Sequence, residues 1–287
     1  MSLAPEERAR LLDIATEITR EAGAIAARGW RQRPTAEHKG RIDLVTSFDR
    51  ASESHLREHL HARTPYLVVG EEEGADVGAT MRGLDAPTWI VDPIDGTTNF
   101  VHGHPFYCVS VGLVAKGEPI LGVVVAPALH TEWRGIVGGG ATRNGVPCHV
   151  SEVDALEDAM LATGFPYDRA TSEANNFDAF VWIKKRCQAV RRCGAAAIDV
   201  CLVADGTYDG YWEQKLRAWD LAGGAAIVLA AGGCVTAYDG SAVAIASAEA
   251  ADPTRIACAV ATNGRVHEAL LRELALASSL SSPHSPT

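Results

Sequence analysis

Apolar residues recur at two different spacings along the chain, and the change of spacing divides it into two halves. Helical spacing over residues 5–32 predicts an amphipathic helix, and a second helix is predicted over about 49–63. Short β-branched stretches follow at 66–70 and 88–92, then an apolar hairpin at 107–127 and another tight turn at the Asn-Gly pair that precedes residue 150. The first half is therefore predicted to be a helical pair followed by a largely antiparallel sheet.

The second half alternates predicted helices with short strands. The helices are expected at 173–189, 195–204, 219–231 and about 264–277, and the strands at 209–212 and 233–238. No internal repeat or low-complexity linker separates the halves, so layers of helix and sheet in one compact α+β body are expected. We predict a single domain over residues 1–278, with halves at about 1–150 and 151–278, and a disordered tail at 279–287.

Composition and charge exclude several classes of protein. The net charge of -10 and the pI of about 5.5 disfavour a general nucleic-acid binder. The charged N-terminus lacks a signal-peptide core, and no stretch approaches the roughly 18 apolar residues that a membrane span needs. The seven cysteines are scattered without C-x-x-C spacing, which favours neither a disulfide framework nor a thiolate zinc site. We therefore predict a cytoplasmic protein with no membrane or nucleic-acid partner.

The stretch "WIVDPIDGTTNF" at 89–100 places Asp92 and Asp95 directly after an apolar run. We expect the strand to end at Asp92, Pro93 and Gly96 to shape a turn, and a helix to begin at Thr97. Carboxylates beside the free N–H groups of a helix start would suit a phosphate site. The alternative is an ordinary capped turn, in which Asp95 or Thr97 is the N-cap of the helix.

Other acidic residues follow apolar elements in the same manner. Each alone is consistent with a solvated loop or a helix cap, and the residues concerned are Glu71, Glu72, Glu73, Asp43, Asp49 and Asp220. Four or five carboxylates at the ends of apolar elements call for hard cations, and oxygen ligands without thiolate favour magnesium. The spacing does not fit a calcium loop, G-x-G-x-x-G, the Walker motif or the H-E-x-x-H zinc motif.

Taken together, these stretches resemble the inositol monophosphatase family of magnesium-dependent phosphatases. "WIVDPIDGTTNFVHGHPFYCVSVGL" is similar to its first signature and "WDLAGGAAIVLAAGG" to its second. "GEE" at 70–72, "DLVTSFD" at 43–49 and "RRCGAAAIDVCLVADGTYDGYWE" at 191–213 stand in the family's order, and the likeness reaches to about residue 278. The resemblance implies a layered αβαβα sandwich, a homodimer, lithium sensitivity, and hydrolysis of a small phosphate monoester with two or three Mg²⁺ ions.

The resemblance also implies roles for particular residues. Metal ligation falls to Glu71, Asp92, Asp95 and Asp220, with the Ile94 carbonyl and the Thr97 hydroxyl completing the set. Asp49 would pair with Thr97, and Asp92 would bridge two metals. Glu71 and Thr97 would orient the attacking water, while Glu72 and Lys39 would lie behind the ligands. Substrate contacts are expected from Asp95, Gly96, Thr97, Gly194, Ala196 and Glu213.

The identity of the substrate stays open at this point. Myo-inositol 1-phosphate is the favoured substrate, with histidinol phosphate, fructose 1,6-bisphosphate and a 3′-phosphorylated nucleotide as alternatives within the family. Relatives commonly carry Ser or Thr where this chain has Ala195. A second phosphate could be bound by Lys184, Lys185, Arg191 or Arg192, although a solvated helix face explains them equally. A regulatory binding protein without activity is the alternative from another class.

Overall fold

Helix and sheet alternate in five layers through the described part of the chain, which in this computed structural model comprises residues 3–38, 44–72, 86–245, 252 and 254–281. The first layer contains α1 (Pro5–Gly29) and α2 (Ser47–Arg63), which pack on one face of a seven-stranded sheet. Helices α5 (Ala196–Ala204) and α6 (Ala218–Ala230) lie between this sheet and a five-stranded sheet. Helices α4 (Phe177–Lys184) and α7 (His267–Ser281) form the last layer, which confirms the predicted αβαβα sandwich.

The seven-stranded sheet carries the strand that forms the floor of the site. Its strands follow chain order: β3 (Leu67–Gly70), β4 (Thr88–Asp95), β5 (Cys108–Ala115), β6 (Glu118–Ala126), β7 (Thr131–Ile136), β8 (Gly140–Arg143) and β9 (Val146–Cys148). Strands β3 and β4 are parallel, and every later pair is antiparallel. All eight residues of β4 are buried, because helices cover both of its faces.

The five-stranded sheet has the order β11-β10-β12-β14-β13 and receives residues from the C-terminal half. Its strands are β10 (Met160–Thr163), β11 (Ala189–Arg191), β12 (Gly210–Arg217), β13 (Cys234–Thr236) and β14 (Arg255–Thr262). A separate pair is formed by β1 (Ala36–His38) and β2 (Leu44–Thr46), and α3 (Thr97–His102) follows β4. The two faces of β12 belong to different cores, since Tyr211 packs with the middle helices and Trp212 with α4 and α7.

Several predicted boundaries were wrong, and each has a local cause. The helix expected at 173–189 covers only α4, because Asn176 adopts φ +70° and binds Thr163 and Trp212 instead of continuing a helix. Residues 185–188 form a turn, and Ala189, the last residue of the expected helix, begins β11, which pairs in parallel with β10. The first helix ends at Gly29, and the last runs to Ser281, so ordered helix continues into the segment predicted to be a tail.

Glycines allow α6 to approach the seven-stranded sheet closely. A Cβ added at Gly122 of β6 would stand 2.1 Å from the carbonyl oxygen of Gly223 in α6, and a Cβ at Gly112 of β5 would stand 2.6 Å from the backbone of Ala222. Only glycine fits at such a distance. This contact brings the N-terminal end of α6, with Asp220, towards the end of β4.

Candidate functional site: a buried acidic cluster and its cavity

A break in the ladder at the end of β4 brings Asp92 and Asp95 to the same side of the sheet. Asp92 pairs with Ser110 and Asp95 with Cys108, so three steps along β4 correspond to two along β5. Residues three apart in a regular strand would face opposite sides, and the extra residue of the bulge reverses that. Pro93, which has no N–H for the ladder, lies within the bulge. The strand was predicted to end at Asp92 but continues to Asp95.

Asp220 completes a cluster of three carboxylates. One side-chain oxygen each from Asp92, Asp95 and Asp220 lies within 4.8 Å of the other two. The sequence also allows Asp220 to be the N-cap, but Arg217 occupies that position and donates its backbone N–H to Asp220 Oδ2 over 2.7 Å. The Asp220 side chain, in the first turn of α6, therefore caps the helix and also belongs to the carboxylate cluster.

The carboxylates of the cluster repel one another when they are charged. Burial and the charges of Glu71 and Asp95 raise the pKa of Asp92 well above its ordinary value. Burial and the charge of Asp95 do the same to the pKa of Asp220. For Asp95, burial raises the pKa to about 6, and the backbone N–H of Ala197, 2.7 Å from Oδ2, moderates that rise. A bound cation would relieve this repulsion and favour all three charged forms.

Glu71 lies beside this cluster rather than within the group of three. It follows β3, which pairs in parallel with β4, and its charge raises the pKa values of both Asp92 and Asp220. The backbone around it is held by Glu53, a fully buried residue of α2 whose Oε2 accepts the N–H of Glu72 over 2.7 Å. A Cβ at Gly70 would stand 2.4 Å from the Glu53 carboxyl carbon, so the contact requires glycine there.

Thr97 and Asp49 form a second polar group next to the bulge. The Thr97 hydroxyl lies 3.1 Å from Asp49 Oδ1 and 3.0 Å from the Ile94 carbonyl oxygen. Asp49 Oδ2 accepts from the backbone and the hydroxyl of Thr46, which is the N-cap of α2. Burial raises the pKa of Asp49. The helix-cap alternative for Asp49 thus describes one of its oxygens, while the other faces Thr97.

The N-terminus of α3 is preceded by Gly96 at φ +89°, where a side chain would be strained and would approach Ala195. Neither Asp95 nor Thr97 is the N-cap, which corrects the capped-turn alternative. Asn99 of α3 donates to the carbonyls of Phe106 and Cys193, at 2.7 and 2.9 Å. These bonds join the helix after β4 to the loop before α5, and so fix Gly194 beside Gly96.

A cavity of about 340 Å³ opens from the acidic cluster. Its polar lining includes Asp95, Thr97, Asp199, Glu213 and Asp220, and Gly96, Gly194 and Ala196 line it as well. Arg192, one of the four cations suggested for a second phosphate, lines the cavity, and Arg169 and Lys215, which the sequence did not suggest, line it too. Lys215 is paired with Asp168 at 2.6 Å.

Comparison with known proteins agrees with this geometry. The model of the inositol monophosphatase family matches residues 7–278. The chain belongs to the inositol monophosphatase family. It is 40% identical over 273 residues to an inositol-1-monophosphatase of Synechocystis, which covers 94% of this chain and 91% of the relative. A solved inositol monophosphatase from Anabaena aligns with a TM-score of 0.79 at 38% identity, over 93% of this chain and 96% of that one.

Membership of the inositol monophosphatase family makes this chain a phosphoric monoester hydrolase. Relatives with another name lie at a similar distance: a protein named Nus factor SuhB from Pasteurella multocida is 36% identical over 234 residues, covering 80% of this chain and 86% of that one. Among the described helices, none combines the length and apolar character that crossing a bilayer requires.

Three residues on helices at the site were also missed in the sequence. Glu53, Asn99 and Asp199 are each spaced like ordinary helix residues, and Glu53 even forms an i,i+4 ion pair with Arg57 at 2.9 Å, as surface pairs do. The available signal was weak: a polar residue within an otherwise apolar helix, as at Asp199. Lys39, predicted to lie behind the ligands, falls outside the described residues.

Proposed function

We propose that this chain is a magnesium-dependent phosphomonoesterase that hydrolyses a small phosphorylated polyol, with myo-inositol 1-phosphate as its substrate. The observation that carries the proposal is the approach of Asp92, Asp95 and Asp220 to within 4.8 Å at the base of the cavity. This all-oxygen donor set fits Mg²⁺, since carboxylates are its preferred protein ligands and no thiolate or imidazole contributes to the group.

Asp92, Asp95, Asp220, Glu71, the Ile94 carbonyl and the Thr97 hydroxyl would hold the metal. When bound, magnesium would neutralise the acids and the phosphate, lower the pKa of an attacking water and stabilise the leaving oxygen of an in-line displacement. The chain's own residues provide orientation. Because the Thr97 hydroxyl donates a hydrogen bond to Asp49, its oxygen is left to accept a hydrogen bond from the water that attacks phosphorus. Glu71 would orient the same water.

The remaining residues would position the ester. The backbone N–H groups of Gly96 and Thr97, at the start of α3, would face phosphate oxygens. Glu213 lines the same cavity as Asp95 and would bind hydroxyl groups of the leaving alcohol, together with the backbone at Gly194 and Ala196. Glu72 would support the metal site through the backbone N–H that it donates to Glu53.

Four further properties follow from the family and are proposed with it: two or three Mg²⁺ ions, inhibition by Li⁺, a homodimer and a cytoplasmic location. Isothermal titration would count the ions, and light scattering would give the mass of the assembly. Turnover that is insensitive to Li⁺ would contradict the inhibition. Fractionation would test the location, which is open because one relative is named a chloroplastic phosphatase.

The test is a comparison of specificity constants with and without Mg²⁺. The esters are myo-inositol 1-phosphate, histidinol phosphate, fructose 1,6-bisphosphate and a 3′-phosphonucleotide. We expect Mg²⁺-dependent hydrolysis with the highest kcat/KM for the inositol ester. Asp92→Asn should lower kcat by more than about a hundredfold, since even residues that only orient ligands contribute roughly 10–100-fold. The matched control Asp154→Asn removes an exposed carboxylate away from the cavity and should retain activity.

If none of the four esters is hydrolysed with excess Mg²⁺, the enzyme proposal fails. A role as a regulatory binding protein would then explain the chain better. Relatives at 36–37% identity that are named Nus factor SuhB support this alternative. If histidinol phosphate is hydrolysed in preference to the inositol ester, the proposed phosphatase activity stands and the proposed polyol substrate is rejected.

A further inference from the structure

Two histidines of α2 face a glutamate of α1 at the surface where these two helices pack together. His55 and His59 are four residues apart, and their ring centroids lie 4.2 Å from each other. His55 Nε2 lies 2.9 Å from Oε2 of Glu21. The His55 side chain is 20% exposed and the Glu21 side chain 50% exposed. Ions from solvent can therefore reach this group, which is separate from the buried carboxylates at the end of β4.

The donor atoms of this group suit zinc. Two histidines at i and i+4 on one face of a helix supply the zinc ligands of the H-E-x-x-H motif. That motif is absent here because Glu58 stands in the fourth position instead of the second, but His55 and His59 have the spacing of its two ligands. Zinc commonly takes a carboxylate as a third ligand, and Glu21 of the neighbouring helix offers one. Imidazole suits zinc, whereas magnesium prefers oxygen ligands.

The charge of Glu21 also favours a cation at this place. One turn earlier on α1, Glu17 forms an ion pair with Arg63 of α2 at 2.8 Å. Glu21 has no arginine or lysine partner in the part of the chain that the structure describes, and its contact across the helix boundary is the imidazole of His55. A neutral imidazole leaves the negative charge uncompensated. A divalent ion bound to both side chains would compensate it.

Binding of one ion by all three side chains requires a small rearrangement. Among the described residues, three ligand atoms lie within 4.8 Å of one another only at the cluster of aspartates. The hydrogen bond between His55 and Glu21 must therefore open, and the rings must rotate so that their nitrogens point at a common centre. Side chains that are partly exposed exchange rotamers within nanoseconds, so this motion leaves the packing of α1 on α2 unchanged.

We propose that His55, His59 and Glu21 form a zinc site that links α1 to α2. The three protein ligands leave a fourth position of the tetrahedral ion to water. The same helix α2 carries Asp49 and Glu53, whose side chains hold the groups around the acidic cluster. Zinc bound across the two helices would therefore stabilise the helix that supports the proposed magnesium site, without taking part in its chemistry.

The test measures zinc binding with a large excess of Mg²⁺, which fills the carboxylate cluster and competes poorly for imidazole. Equilibrium dialysis of the parent should show one Zn²⁺ bound at this group, and Zn²⁺ at 100 times its dissociation constant should raise the melting temperature by roughly 5 °C. His55→Ala, His59→Ala and Glu21→Gln should each raise the dissociation constant about tenfold or more, because even residues that only support metal ligands contribute about 10–100-fold.

Two further variants show where the ion binds. His61→Ala is the matched control, since it removes an exposed histidine two residues further along α2 and should leave the zinc affinity unchanged. Asp92→Asn disrupts the acidic cluster and should also leave it unchanged. In EDTA the three ligand variants should melt within about 2 °C of the parent, as surface substitutions do. Their lost affinity would then reflect lost ligands rather than unfolding.

Several results would overturn the inference. They are the absence of zinc binding to the parent in excess Mg²⁺, an unchanged affinity in any of the three ligand variants, and a loss of affinity in His61→Ala or Asp92→Asn as large as that in His59→Ala. The readout is binding and melting temperature, so the inference does not depend on the proposed phosphatase activity. If none of the phosphate esters is hydrolysed, the proposed function fails while the zinc site is judged by these measurements alone.

Discussion

Replacing Asp92 by Asn should stabilise the metal-free protein while removing its response to magnesium. Asp92 is fully enclosed among acids, and its Oδ1 accepts the N–H of Ile94 over 3.0 Å. Asn has the same shape and keeps that acceptor, so the substitution removes charge without removing the hydrogen bond. Most substitutions of a buried residue lower stability, which makes the opposite sign a sharp expectation.

The size of the effect follows from the separation of the carboxylates. At an effective dielectric constant of about 20, two unit charges 4.8 Å apart repel by about 3.5 kcal/mol. Protonation of one carboxyl group relieves part of this repulsion, but the free energy needed to bind the proton grows as the pH rises above the ordinary pKa of Asp. We expect Asp92→Asn to raise the free energy of unfolding by about 3 kcal/mol near neutral pH, or the melting temperature by roughly 6 °C.

Thermal unfolding with EDTA and with Mg²⁺ measures both halves of the prediction. Magnesium at 100 times its dissociation constant should stabilise the parent by about 2.7 kcal/mol, whereas the variant should gain much less. The advantage of the variant should therefore largely disappear at this Mg²⁺ concentration, and it should reverse at 1,000 times the dissociation constant, where the parent gains about 4.1 kcal/mol. Asp154→Asn should follow the parent in both conditions. A variant that is less stable than the parent in EDTA, or that gains as much from Mg²⁺, would refute the electrostatic reasoning.

Three further substitutions test separate parts of the site. Glu53→Gln weakens the hydrogen bond from the Glu72 backbone N–H that holds the chain after β3, so the Mg²⁺ concentration for half-maximal activity should rise about 10–100-fold. An unchanged Mg²⁺ concentration for half-maximal activity would contradict this role. Thr97→Val removes the hydroxyl shared with Asp49 and should lower kcat by about a hundredfold with little change in melting temperature, and full activity would exclude that hydroxyl. Burial raises the pKa of Glu213 to about 7, so between pH 4.5 and 7 the folded protein keeps a proton that the unfolded chain loses. The free energy of unfolding of the metal-free protein should therefore fall by about 3 kcal/mol over this pH range. Urea unfolding of Glu213→Gln should show a smaller fall, and an unchanged pH dependence would exclude Glu213 as its source.

The parts of the site that are local in sequence could be predicted from the sequence. Asp92, Asp95, Gly96 and Thr97 lie within six residues, and the apolar run before them with Pro and Gly among them already indicates a strand, a turn and a helix start. The bulge itself was not predicted. It depends on the partner strand, since only the pairing with β5 shows that Asp92 and Asp95 share a side.

Residues whose role arises from distant contacts could not be predicted. Asp220 is more than a hundred residues from Asp95 in the sequence. It reaches the cluster because glycines of β5, β6 and α6 let that helix pack closely against the sheet. Glu53 has the spacing of a surface ion pair with Arg57, and its burial is set by β3 packing over it. Asp199 is similar: one acid in an apolar helix indicates a polar environment without indicating which elements provide it.

The same reasoning explains the overrun of the fourth helix. Helical periodicity persists past residue 184, but the chain from Ala189 onwards finds hydrogen-bond partners along β10 and becomes a strand. At the other end, Asn176 satisfies Trp212 and Thr163 within the core and takes a left-handed conformation. Tertiary hydrogen bonds outweigh the helix propensity, which contributes less than about 1 kcal/mol per residue.

Diffraction from crystals soaked in Mn²⁺, a divalent ion with the same preference for oxygen ligands, would test the central claim most directly. Anomalous difference maps should place one or more ions about 2.1–2.2 Å from carboxylate oxygens of Asp92, Asp95 and Asp220, at the base of the cavity. The same maps of Asp92→Asn crystals should show reduced or absent peaks there. A strong anomalous peak elsewhere, with none at these three carboxylates at saturating Mn²⁺, would contradict the account.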